Sequence, residues 1–145
     1  MRVPMKVDYG VRALVELAGH VGEGPLPTAE IASRQEIPEP YLDQVLSVLQ
    51  KFGIIRSRRG PRGGYALAKS ASDIDLGMVM ATLDGTGAPL ICIEDPAECT
   101  FSGACAQREV WQTVDEAVQN VLSMTTIADL AARQQHMVSH GMYYI

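Results

Sequence analysis

Apolar residues open this chain in helical register. Across residues 7–21, VDYGVRALVELAGHV, positions Val7, Val11, Leu14, Val15 and Ala18 share one face, which predicts a helix with a single buried stripe. The breaker run Gly22-Glu23-Gly24-Pro25 stops it. Thr28 offers an N-cap oxygen to a short second helix, with Glu30 in its electropositive first turn and Ile31 and Ala32 as its apolar face, ending near Gln35. Pro38-Glu39-Pro40 then turns the chain into a third helix over 41–52. There Leu42, Val45, Leu46 and Leu49 point inward, while Asp43, Gln44, Ser47, Gln50 and Lys51 point outward.

The period changes after Gly53. Ile54 and Ile55, a tip of Gly, Pro and Arg, and then Tyr65-Ala66-Leu67 read as two short strands joined by a basic loop. Helix, helix, turn, helix and hairpin in that order is the winged helix-turn-helix layout, whose third helix enters a major groove. Ser72 with Asp75 resembles a capping box opening a fourth helix that carries Ile74, Met78, Val79 and Leu83. From about Arg108 to Met124, the positions Val110, Trp111, Val114, Val118, Val121 and Leu122 mark a long amphipathic helix, and Thr125 or Thr126 caps a last one, IADLAARQ. So long an apolar face on so small a protein suggests a homodimer interface, the alternative being burial in the chain's own core. The fold class is therefore mainly α with a small β-hairpin wing. A winged helix-turn-helix DNA-binding domain spans 1–84, a cysteine loop 85–107, and a dimerisation helix with a C-terminal tail 108–145.

With 145 residues, 47% of them hydrophobic, the chain can bury one core, and no apolar run approaches the roughly 18 residues that cross a bilayer. A net charge of -5 argues against a nucleic-acid partner until its distribution is considered. Residues 1–69 hold ten Lys/Arg against seven Asp/Glu, a balance of +3, whereas residues 70–145 hold two against ten, a balance of -8. No acidic residue lies between Asp43 and Asp73, the stretch that carries Lys51, Arg56, Arg58, Arg59, Arg62 and Lys69. A basic patch on the wing governs phosphate contact more than the sum does. The run Gly60-Pro61-Arg62-Gly63-Gly64 is a wing tip and not a phosphate loop, since no Gly-Lys-Ser/Thr follows, and no catalytic order of residues marks an enzyme.

Cys92, Cys99 and Cys105 are the chain's three cysteines, all inside ICIEDPAECTFSGAC. Their odd number excludes a fully paired disulfide set, and residues 1–10 lack the apolar core of a secretory signal, so the expected setting is a cytoplasm that keeps thiols reduced. Clustered thiols there bind metal more often than they fill a core. Thiolates are soft donors suited to iron-sulfur clusters. Gaps of six and five residues fit a loop wrapped round a cluster better than a structural zinc site, which favours shorter pairs such as C-x2-C. Glu94, Asp95 and Glu98 are competing oxygen donors in the same loop, while His20, His136 and His140 lie outside it.

With the third-helix phrase PYLDQVLSVLQKFGIIRSRRG, the wing motif RGPRGGYALAK and a three-cysteine loop ahead of a long helix, residues 1–135 resemble the iron-sulfur winged-helix regulators of the IscR and NsrR types. The resemblance implies a dimeric transcription factor, a repressor, whose cluster lies between the long helix of one subunit and the first helix of the other. It implies Cys92, Cys99 and Cys105 as ligands. The fourth ligand differs within the family. In the IscR type a histidine stands three residues after the last cysteine, where this chain has Arg108; in the NsrR type it is an aspartate of the first helix, matched here by Asp8. Asp8 of the partner subunit is thus the favoured fourth ligand, an exposed pair with Arg12 being its ordinary alternative. A 4Fe-4S cluster is favoured and a 2Fe-2S cluster is the alternative, sensing nitric oxide, redox state or iron.

The implied macromolecular partner is double-stranded DNA with a pseudo-palindromic operator. Thr28, Tyr41, Asp43, Gln44 and Ser47 belong to the helix-turn-helix side of that contact, and Arg56, Arg58, Arg59, Gly60 and Arg62 to the wing. The apolar tail Met142-Tyr143-Tyr144-Ile145 resembles that of the family's CymR members, which bind cysteine synthase. Tyr144 and Ile145 would carry such a contact, with packing on the dimer as the other use of the tail.

Overall fold

A computed structural model describes residues 2–85 and 87–141. Helix α1 spans Met5–Gly19, α2 Thr28–Gln35 and α3 Glu39–Lys51, followed by strands β1, Ile55–Arg58, and β2, Gly64–Leu67. Helices α4 (Leu76–Asp84), α5 (Ile91–Glu94), α6 (Ala106–Met124) and α7 (Ile127–Gly141) complete the described chain. No described helix is long and apolar enough to cross a membrane.

Of its predicted stripe the first helix buries Val7 and Leu14 and half-buries Val11, Val15 and Ala18; Ala13 and Leu17, outside that stripe, are buried as well, and the helix starts at Met5 and ends at Gly19. Thr28 does not cap α2. Pro27 occupies the N-cap position and Thr28 is the first helical residue, with no side-chain bond to the helix terminus. A left-handed residue, Glu36 with φ 52°, ends α2, and Ile37 donates back to Ala32 at 3.0 Å, forming the turn of the helix-turn-helix. Helix α3 begins two residues earlier than its pattern predicts, because Pro38 serves as N-cap and Pro40 fits the first turn. Leu42, Val45, Leu46 and Leu49 then pack inward, all buried.

Strands β1 and β2 pair antiparallel, Ile55 opposite Leu67 and Arg58 opposite Gly64. Leu26, in the connector before α2, adds a third rung by exchanging two bonds of 2.9 Å with Tyr65. Glycine at position 64 permits that approach. Its φ is 151°, and a Cβ there would fall on the backbone of Leu26 and Pro27.

Two predictions about α4 are corrected. Its N-cap is Asp75, whose Oδ1 accepts from the Met78 N–H at 2.8 Å, whereas Ser72 bonds only to Ser70. Ile74 lies before the helix in extended backbone, fully buried. It stays outside because the 74–76 segment pairs with the chain that leaves α6. Leu76 N–H donates to the Thr125 carbonyl at 2.9 Å and Ile127 N–H to the Ile74 carbonyl at 2.8 Å.

That pairing seats Ile127 in the core beside Leu14, Leu46, Ile74 and Val79. Helix α7 then runs back along α1 and extends to Gly141, well past its predicted end. Of the two candidate caps, Thr126 is the one used. Its Oγ1 accepts from Asp129 N–H at 3.1 Å while Asp129 accepts from Thr126 N–H at 2.9 Å, a reciprocal capping box. The Thr126 backbone and hydroxyl bonds, aided by the Arg133 charge, hold the exposed Asp129 carboxyl below its ordinary value.

Candidate DNA interface and cysteine loop

Burying Leu42, Val45, Leu46 and Leu49 turns the opposite face of α3 outward. Tyr41, Asp43, Gln44 and Ser47 are all exposed, so the residues predicted to read bases share a free helix face. Thr28 is half-buried at the start of α2. The wing is fastened to α3 by Gln50, whose Nε2 donates to Ser57 Oγ at 2.8 Å.

Arg56, Arg58, Arg59, Gly60 and Arg62 are exposed along β1 and the tip. Gly60 has φ 115° and accepts from Gly63 N–H at 2.9 Å, which closes the tip tightly. Among the described residues none of the four arginines is in an ion pair. Four uncompensated guanidinium groups on one hairpin form the donor set that a polyanionic backbone needs.

The cysteine segment is more regular than its composition suggests. Cys92 lies on α5, Cys99 follows a single 3-10 turn over Pro96–Glu98, and Cys105 directly precedes α6. All three are free and half-buried. Two of the competing oxygen donors are already engaged. Glu94 accepts from Ala88 N–H at 2.9 Å and Asp95 from Ala97 N–H at 3.0 Å, so both carboxylates shape the loop. Arg108 Nε donates to the Cys92 carbonyl at 3.0 Å, a contact that sequence reasoning missed.

Among the described residues no three His, Cys, Asp or Glu side chains converge closely enough to hold a single metal ion. A mononuclear site needs all its donors at about 2.0–2.3 Å from one point. A multi-iron cluster brings its own irons and sulfides and holds its thiolates further apart. Three free thiols on one loop, with Glu94 and Asp95 each accepting one backbone N–H and an arginine that has no lone pair to give, are a donor set whose chemistry fits such a group.

Asp8 lies on α1 with its side chain about half exposed. Arg12 Nη1 stands 3.6 Å from its carboxylate, so the surface pair exists, and Arg12 Nε donates to Gln35 at 3.3 Å. Asp8 also borders an apolar crevice of about 190 Å³ lined by Val7, Val11, Leu76, Met80 and Leu122. Within one chain it is not grouped with the cysteines. His20 is engaged by Arg34 at 3.0 Å, and His136 and His140 stack on α7, so the histidines have other neighbours. Tyr144 and Ile145 lie outside the described residues.

The apolar stripe predicted on α6 divides in two. Val118 and Leu122 are half-buried on the side facing α4. Val110, Trp111, Val114 and Val121 remain 61%, 42%, 41% and 63% exposed. With Ala117 and Met124, the outer set runs 110, 114, 117, 121, 124, alternating steps of four and three that define a coiled-coil seam. No part of the described chain covers it.

The family model described as Rrf2, iron-dependent transcriptional regulator, matches residues 3–133. The HTH-type transcriptional regulator IscR of Serratia proteamaculans is 36% identical over 138 residues, 95% of this chain and 84% of that protein. The HTH-type transcriptional regulator CymR of Bacillus subtilis is 34% identical over 145 residues, 100% of both. The solved structure of the B. subtilis protein, described as its global cysteine regulator, matches at TM-score 0.78 and 35% identity, covering 92% of this chain and 98% of that one. T. potens IscR matches at TM-score 0.76 and 35% identity, over 92% and 88%. These relatives are regulators and not enzymes. On the family match, the identities and the shared winged-helix architecture, the chain belongs to the Rrf2 family of transcriptional regulators.

Proposed function

We propose that this protein is a homodimeric DNA-binding repressor whose affinity for its operator is set by an iron-sulfur cluster. The observation that carries the reading is the donor set, three free half-buried thiols on one loop tied directly to α6. The exposed Val110, Val114, Ala117, Val121 and Met124 seam pairs with the same seam of a second copy. That pairing sets the separation of the two α3 helices, which must match half-sites about 34–36 Å apart.

Cys92, Cys99 and Cys105 would hold the cluster, with Asp8 of the partner subunit as the fourth ligand. When bound, the cluster supplies an iron centre reactive toward nitric oxide and oxidants. A carboxylate is a harder donor than a thiolate, so the corner held by Asp8 is the weakest point of attachment. Without that bond Asp8 would pair with Arg12 of its own helix, and the tie between the two chains, which would set the angle between their α3 helices, would be absent.

For DNA, Gln44 would read adenine and Asp43 would accept from cytosine, while Arg56, Arg58, Arg59 and Arg62 would neutralise phosphates or enter a narrow minor groove, a reading supported by their exposure.

A second reading is favoured by the end-to-end match to CymR. On that reading the protein regulates cysteine metabolism and binds cysteine synthase through Tyr144 and Ile145. Cysteine synthase should then be retained by the full chain and lost from a chain lacking residues 142–145; equal retention removes the tail from the account.

Purified without oxygen, the wild type should carry iron and sulfide in near-equal amounts with visible absorbance. Asp8→Ala should lose or alter that absorbance while melting like the wild type, since Asp8 lies outside the core. A colourless protein with stoichiometric zinc would sink the cluster reading.

Arg59→Ala should weaken binding to all duplexes alike and reduce the salt slope by about 1, whereas Gln44→Ala should cost about 1–3 kcal/mol and relax preference at one base pair. Fluorescence anisotropy over a salt series measures both. Unchanged binding in the two variants contradicts this docking.

A further inference from the structure

Arg108 stands out by charge and by contact. It is the single Lys or Arg between residues 70 and 132, a stretch holding ten Asp and Glu. Its guanidinium is half-buried and reaches back sixteen residues to the Cys92 carbonyl at 3.0 Å. Among the described residues it has no carboxylate partner within ion-pair distance. A guanidinium has five donors and no acceptor, so Arg108 cannot ligate iron. It can close a loop and bring a positive charge to it.

The placement gives that closure a purpose. Cys105 directly precedes α6 and Arg108 lies in the first turn of the helix. The bond therefore holds the backbone of Cys92 within one arginine side chain of the turn that Cys105 opens. The backbones of two cysteines thirteen positions apart are thereby tied to one structural corner. The loop also carries Glu94, Asp95 and Glu98, with Glu109 in the first turn of α6, and Arg108 is the single Lys or Arg among residues 85–109.

We propose that Arg108 is the positioning residue of the cysteine loop. Its Nε–H···O=C bond folds Cys92 onto the start of α6, and its charge offsets that of the assembled thiolates. The charge-offset half rests on the cluster reading; the folding half does not.

The test compares wild type with Arg108→Ala and Arg108→Lys in two states. In the iron-free protein, amide hydrogen exchange over residues 91–99 should accelerate about tenfold or more in Arg108→Ala, the scale of losing a bond from a charged donor, with Arg108→Lys between the two. In protein reconstituted without oxygen, iron loss to a chelator should quicken in the same order, and Arg108→Lys should recover most of the cluster lifetime. Exchange over 91–99 that is unchanged in Arg108→Ala overturns the clamp. Equal cluster lifetimes in all three proteins overturn the charge role. A wild type that takes up no iron ends the cluster reading and the charge role, and leaves the exchange comparison to decide the clamp.

Discussion

The pairing of residues 74–76 with 125–127 is the constraint on which the rest of the molecule depends. Two backbone bonds, Leu76 to Thr125 and Ile127 to Ile74, join the chain before α4 to the chain after α6. They seat Ile127 at zero exposure in the core of the DNA-binding unit, and burying such a side chain contributes about 1.5–3 kcal/mol. The intervening chain, cysteine loop and long helix included, is held at both ends by the same few residues. A displacement of α6 is therefore felt by α1 and α4, which flank the helix-turn-helix. Under the proposed cluster control, the loop would act on DNA binding through this short covalent and hydrogen-bonded circuit, with no need of a long path of side chains.

Charge divides the molecule along the same line. Among the described residues the wing has four arginines without carboxylate partners, while the loop and α6 carry six carboxylates and a single arginine. An overall charge of -5 conceals both facts. The basic hairpin can approach phosphate because the acidic half is attached elsewhere on the core, and the acidic loop is where local compensation matters most.

Local features were legible in the sequence, and long-range ones were not. Helical period and breaker residues located α1, α3 and the hairpin, since Leu42, Val45, Leu46 and Leu49 can face inward in only one way on a helix. The exposed recognition face followed from the same periodicity. Asp75 displaced Ser72 as the cap because the 74–76 segment is held extended by a partner fifty residues away, which no local pattern records. Thr28 gave way to Pro27 because the connector is fixed by the Leu26 to Tyr65 rung. The single stripe on α6 is two faces, one against α4 and one exposed, and hydrophobicity alone cannot separate a face that packs within the chain from one left open. The reach of Arg108 to Cys92 had one sequence signal, its isolation among acids, whereas the family resemblance marks position 108 only as the place of a missing histidine.

The claim that each cluster is built from two chains is tested most directly by mixing them. Neither an Asp8→Ala homodimer nor a Cys92→Ser homodimer retains a complete ligand set. In a mixed dimer, the cysteines of the Asp8→Ala chain face the intact Asp8 of the Cys92→Ser chain, so one site of the two is complete. The account predicts about half the wild-type iron, sulfide and visible absorbance in the anaerobically reconstituted mixed dimer, with neither parent homodimer giving the wild-type spectrum. A mixed dimer without an intact cluster would place Asp8 and the cysteines of a site on the same chain, and an Asp8→Ala homodimer with the wild-type spectrum would remove Asp8 from the site; either result would contradict the account.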